Sequence, residues 1–157
     1  MTTSNESLQK WVAEVAALTK PEAIHWCNGS DEEYQGLIEL MLDSGDLIKL
    51  DDSYENCYLH RSDPRDVARV GHLTFICTPE QEDAGPNNHW MPPEDARAKM
   101  EELFTDCMQG RTMYVVPYCM GPINSRYARC GVEITDSPYV VANMKLMTRM
   151  GQQALER

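Results

Sequence analysis

The chain has 157 residues, 42% of them hydrophobic and 25% charged, which fits one globular domain with a sizeable core. Its formal net charge of −11 repels a phosphate backbone and argues against general nucleic-acid binding. The same field repels small anions, so any anion site must be built from particular arginines. No apolar run approaches the ~20 residues needed to span a bilayer. The start, Met1 to Ser7, is polar and lacks the basic region of a secretory signal, so the cytosol is the expected compartment.

The first periodic stretch places Leu8, Trp11, Val12, Val15 and Leu18 on one helical face. Lys20-Pro21 should end that helix, because a residue before proline disfavours helical dihedrals. Ala23–Cys27 reads as a short strand turned by Asn28-Gly29. Ser30 to Glu33 is a capping box, with Ser30 as N-cap and Glu33 at the third helical position. The helix behind it aligns Tyr34, Leu37, Ile38, Met41 and Leu42, and Gly45 closes it. Leu47–Leu50 and Asn56–His60 flank a polar turn and read as a hairpin. Asp63-Pro64 with Asp66 predicts a short helix to about Ala68. Leu73–Cys77 reads as a strand, and Pro79–Pro93 as a long polar loop.

A helix should follow, with Glu94 and Asp95 in its first turn. Its expected apolar stripe is Ala96, Met100, Leu103, Phe104 and Cys107, with Gly110 at its end. Thr112–Pro117 is β-branched and aromatic, a buried strand. Tyr118–Cys130 reads as a loop and Gly131–Asp136 as a further strand. Ser137-Pro138 opens a helix predicted through Met150. It continues to Arg157 without a terminating device, which reads as a chain cut short or equally as a frayed terminal helix. Interleaved helices and strands predict an α/β (α+β) mixed sheet with packed helices.

Six cysteines, at positions 27, 57, 77, 107, 119 and 130, include no Cys-x-x-Cys pair. Without a secretory signal they read mostly as small buried residues, not a disulfide framework. His25 and Cys27 offer two metal ligands where a structural zinc needs four, so no metal site is expected here. No phosphate loop, nucleophile elbow or His-Glu-x-x-His is present. Arg61, Arg65 and Arg69 recur every four residues and would share one helical face. A guanidinium fork fits a carboxylate or phosphate two bonds at a time. The plainer alternative pairs all three with Asp63, Asp66 or Glu55 at the surface.

Several stretches together resemble GTP-dependent phosphoenolpyruvate carboxykinase. They are Ile24–Ser30, Leu59–Arg69, Thr74–Thr78, Gly85–Met91, Met108–Pro117, Met120–Pro122, Gly131–Val141 and Met147–Gly151. They occur in the family's order and cover nearly the whole chain, but only about the first quarter of such an enzyme. The resemblance implies conversion of oxaloacetate and GTP to phosphoenolpyruvate, CO2 and GDP in gluconeogenesis, by a monomer that uses Mn2+ or Mg2+. It also implies that Arg69, the arginine after Asp-Val-Ala, clamps the substrate carboxylate. Two positions depart from the family pattern. Gly71 stands where the family carries a glutamate, and Asn124-Ser-Arg126 replaces Gly-Ser-Pro.

The metal ligands, the phosphate loop and its reactive cysteine lie further on in the family. Cys119 and Cys130 do not match that cysteine's surroundings. Arg69 is therefore the one candidate site residue, in a partial N-terminal domain without the nucleotide- and metal-binding domain. No catalytic, cofactor-binding or metal-binding residue is expected within the chain, and the chain alone is expected to be inactive. The rival reading is a stand-alone, non-catalytic domain that binds a dicarboxylate or a partner. Apolar Val, Leu and Met side chains are expected to lie exposed on the 138–157 helix or the sheet.

Overall fold

The computed structural model describes residues 3–65 and 70–157. Arg69, and the end of the short helix predicted from Asp63-Pro64 to about Ala68, lie outside the described residues.

The sheet is organised on β6 (Thr112–Met120), whose nine residues are mostly buried. Along one edge it pairs in parallel with β1 (Ala23–Trp26), in the register Ala23 with Thr112 to Trp26 with Val115. Beyond the end of β1, the same edge pairs antiparallel with β8 (Arg149–Met150). Along the other edge it pairs antiparallel with β7 (Arg129–Thr135), from Tyr114 opposite Thr135 to Met120 opposite Arg129.

Side chains alternate along β6, as the two-residue period of a strand requires. Met113 and Val115 pack with Val12 of α1 (Glu6–Thr19) and with Met108. Tyr114 and Val116 face the other way, into Leu37, Ile38 and Met41 of α2 (Asp31–Ser44) and Val141 and Met144 of α4 (Pro138–Met147). The result is a mixed sheet with helices on both faces, as the interleaved pattern predicts.

Helix boundaries follow the predicted caps. Lys20 takes a left-handed conformation and ends α1. The Ser30 side chain accepts from the Glu33 amide at 3.0 Å, and Gly45 closes α2 at φ 81°. Ser137 caps α4. The predicted hairpin forms between β2 (Leu47–Lys49) and β3 (Tyr58–His60). Further along, β4 (Phe75–Ile76) pairs in parallel with β5 (His89–Trp90).

Several expectations are corrected. The strand predicted over Leu73–Cys77 shrinks to two residues behind a 3₁₀ turn at Gly71–Leu73. The loop predicted over Pro79–Pro93 holds a 3₁₀ turn at Gln81–Ala84 as well as β5. The loop predicted over Tyr118–Cys130 is shorter at both ends, because β6 and β7 extend each other's ladder. The final helix breaks at Thr148, where the chain reverses into β8 and α5 (Gln152–Leu155). The Gly151 amide then donates to the Pro117 carbonyl at 2.9 Å.

On α3 (Pro93–Phe104), which ends at Thr105 and not at Gly110, no residue is buried. Met100, Leu103 and Phe104 of its predicted stripe are exposed, and so is Trp11 of α1. On α4, Leu146 and Met147 are exposed as expected, while Val141 is buried. Three cysteines (57, 77 and 130) are exposed and only Cys27 and Cys119 are fully buried, so most are not core residues. Among the described residues, no helix is long and apolar enough to cross a membrane.

Candidate functional site

Arg69 lies outside the described residues, and the segments on either side of it are described. Upstream, β3 leads into Arg61–Arg65, all exposed. There the Arg65 fork is already occupied. Its Nε donates to Asp63 Oδ1 at 2.9 Å and an Nη to Oδ2 at 3.0 Å. These bonds hold the Asp63 carboxyl below its usual range. The spacing of Arg61, Arg65 and Arg69 treats them alike, but Arg65 satisfies a neighbouring carboxylate. Downstream, Val70 accepts from the Thr74 hydroxyl at 2.8 Å, and Gly71 sits in an exposed 3₁₀ turn. The Trp90 indole donates to the Thr78 carbonyl at 2.9 Å and ties this segment to β5.

A group of ionisable side chains lies where β1 turns into α2. His25, Cys27 and Glu33 bring their donor atoms within 4.8 Å of one another. Glu33 Oε1 meets His25 Nε2 at 2.7 Å and accepts from the Asn28 amide at 3.0 Å. Its Oε2 accepts from the Gly29 amide at 2.8 Å. The capping carboxylate thus reaches past its N-cap to two amides of the preceding turn, while the Ser30 amide donates to Asn28 Oδ1 at 2.7 Å. Burial, and then the Glu33 charge, push the Cys27 thiol up to about 12. Burial also raises Tyr114, whose ring meets His25 edge-on at 5.8 Å.

That turn is locked to a segment far along the chain. A Cβ on Gly151 would fall 1.9 Å from the Asn28 carbonyl oxygen, and one on Gly29 2.8 Å from Met150 Cβ and carbonyl oxygen. Both glycines have positive φ, so only glycine permits this approach. Lys145 of α4 adds a bond to the Gly29 carbonyl and a 3.1 Å ion pair with Asp31. The His25-x-Cys27 pair is visible in the sequence. The sequence gives Glu33 a capping role only, and nothing in it links Gly29 to Gly151.

A cleft of about 590 Å³ opens between α2, α4 and the β2–β3 hairpin, lined by Tyr34, Met41, Tyr58, His60, Tyr139 and Leu146 among others. His60 stacks on Tyr139 at 4.2 Å, and its Nδ1 lies 2.7 Å from the Asp46 carbonyl oxygen. The departure at Asn124-Ser-Arg126 forms the connection between β6 and β7. There the Arg126 guanidinium lies 4.6 Å over the Tyr127 ring, and Arg157 donates to the Ser125 carbonyl at 2.9 Å.

Comparison with known proteins matches the chain to one family. The family model described as phosphoenolpyruvate carboxykinase N-terminal domain matches residues 10–157. Proteins named phosphoenolpyruvate carboxykinase [GTP] are similar over nearly all of the chain. That of Chlamydia abortus is 56% identical over 97% of the chain and 25% of its own length. That of Anaeromyxobacter dehalogenans is 53% identical over 99% of the chain and 26% of its own length. That of Corynebacterium jeikeium is 51% identical over 99% of the chain and 26% of its own length. The chain therefore spans about a quarter of the curated relatives it matches. The chain belongs to the phosphoenolpyruvate carboxykinase N-terminal domain family.

Proposed function

We propose that the chain is part of the N-terminal domain of a GTP-dependent phosphoenolpyruvate carboxykinase. Such an enzyme converts oxaloacetate and GTP to phosphoenolpyruvate, CO2 and GDP, a cytoplasmic step of gluconeogenesis. One observation carries the reading: the match over residues 10–157, with relatives of that name at 51–56% identity. In this reading Arg69 holds the substrate. Its planar fork takes one carboxylate of oxaloacetate through two bonds, and fixing that end sets the geometry in which the other carboxylate leaves as CO2. The enolate left behind accepts the γ-phosphoryl group of GTP.

The divalent metal that this chemistry uses does not fit the chain's own ionisable cluster. Mn2+ and Mg2+ prefer oxygen ligands. His25, Cys27 and Glu33 offer a thiol, an imidazole and a carboxylate whose two oxygens already accept hydrogen bonds. We assign metal and nucleotide binding to the other three quarters of such an enzyme, and the chain alone should not turn over.

The test is a chimera in which residues 1–157 replace the matching quarter of the Chlamydia abortus enzyme. It should form phosphoenolpyruvate from oxaloacetate and GTP, while the 157-residue chain alone forms none. Arg69→Ala in the chimera should lower kcat/KM about 10–100-fold, the scale of a charged hydrogen-bonded contact. In the chain alone the same substitution should leave the melting temperature unchanged. A folded but inactive chimera overturns the reading as a whole. An active chimera indifferent to Arg69→Ala overturns only the role of Arg69.

A further inference from the structure

Cys119 and Cys130 stand directly opposite each other on β6 and β7. The hydrogen-bonding phase of that ladder follows from two bonds on the far side of β6. The Val115 carbonyl accepts from the Cys27 amide, and the Pro117 carbonyl accepts from the Gly151 amide, each at 2.9 Å. Both carbonyls therefore point toward β1 and β8. By the two-residue alternation of a strand, the backbone groups of Cys119 do so too, so Cys119 and Cys130 form a non-hydrogen-bonded pair. In such pairs the Cα atoms lie about 4.5 Å apart and the side chains approach most closely. A disulfide bridges Cα separations of roughly 4.4–6.8 Å.

The two thiols differ in access, since Cys119 is completely buried and Cys130 is exposed. Cys119 is the main influence holding the Cys130 thiol above its ordinary range, while the Cys119 thiol itself donates to the Met120 carbonyl at 3.8 Å. The Arg157 charge acts in the opposite direction but is the weakest influence, so the Cys130 thiol stays raised and the thiolate fraction that reacts grows with pH.

We propose that Cys119 and Cys130 are an oxidation site that takes a two-electron thiol oxidant of the hydroperoxide class and closes to a cross-strand disulfide. The exposed Cys130 thiolate attacks a peroxide oxygen, the O–O bond breaks, and the sulfur is oxidised to a sulfenic acid as hydroxide leaves. The Cys119 sulfur then attacks that sulfenic sulfur. The S–S bond forms, the S–O bond breaks, and the departing hydroxide takes up the Cys119 proton as water. Overall, two thiols and one hydrogen peroxide give one disulfide and two waters. The bridge pins both ends of the Gly121–Ala128 connection, the segment holding Asn124-Ser-Arg126.

The experiment treats the full chain with equimolar hydrogen peroxide, blocks remaining thiols and digests with trypsin without reductant. The expected product joins peptide 112–126 to peptide 130–145, removes two of the six titratable thiols and separates on reduction. Cys130→Ser, an exposed change that leaves the core intact, should abolish the cross-link. The proposal is overturned if Cys130 accumulates as sulfenic or sulfinic acid while Cys119 stays a thiol. It is equally overturned if the bond formed joins other cysteines, such as Cys57 and Cys77, or if no thiol is lost.

Discussion

Two regions of the molecule are held by different forces. Along β6 the core is nearly continuous, with Met113, Val115, Val116 and Cys119 completely buried and α1, α2 and α4 covering both faces. From Ile48 to Asp83, by contrast, no described residue is buried. That arm includes the stretch resembling the family's substrate arginine motif. Its described segments rest on three-residue and two-residue strand pairings and on single bonds such as Trp90 to Thr78. Such an arm opens at low cost without unfolding the core. The difference separates a region held by apolar burial from one that is not. Apolar burial fixes the sheet, while the arm is free to carry polar groups because little stability depends on them.

The largest expected effect strikes the core at its closest approach. Gly151→Ala would drive a Cβ into the Asn28 carbonyl oxygen, a backbone atom that no rotamer change can move away. It should cost about 3 kcal/mol or more, read as a lower urea midpoint or a failure to fold. An unchanged midpoint would mean that the two turns do not meet as described.

A matched pair of truncations then contrasts the regions directly. Met41→Ala, at a side chain 1% exposed, should cost about 2–5 kcal/mol. Leu73→Ala, at a side chain 64% exposed, should stay within about 0.5 kcal/mol. Equal losses would break the comparison.

A smaller effect concerns pH. Cys27 has its thiol raised from 9.0 to about 12. Below 9 it is neutral in both states, so the shift has no effect on stability there. Between 9 and 12 the unfolded chain loses this proton and the folded chain keeps it, so stability falls as pH rises through that window. Tyr114, also raised, adds to the same trend. Urea midpoints across the alkaline limb should fall less steeply in Cys27→Ser than in the parent, and parallel slopes would contradict the assignment.

The smallest effect is expected at Arg65. Its pair with Asp63 is fully exposed and screened, so Arg65→Ala should leave the melting temperature unchanged. A clear drop would show that the arm bears on the core after all.

Much of the core was legible because each signal is local. The stripe Leu37, Ile38 and Met41, the Ser30 cap and the Gly45 stop are set by neighbours within a turn or two. The run Thr112–Pro117 read as a buried strand for the same reason. The stripe on α3 misled, because periodicity records an apolar face without saying what covers it. Met100, Leu103 and Phe104 face solvent. The end of α4 misled as well. Its pattern continued, yet Thr148 breaks the helix and Met150 pairs with Tyr118.

By itself, then, the sequence determined the family, the mixed α/β class, the capped helices and the central strand, and it singled out Arg69 by resemblance. These depend on residue types at short spacings or in fixed order. Tertiary structure alone decided that Glu33 latches the Asn28-Gly29 turn, that Gly151 abuts Asn28, and that Cys119 faces Cys130. Each of these depends on the fold: a side chain's reach, a sheet's register or a backbone's approach. A one-residue slip in pairing would undo the facing cysteines, since it turns every side chain of a strand to the opposite face.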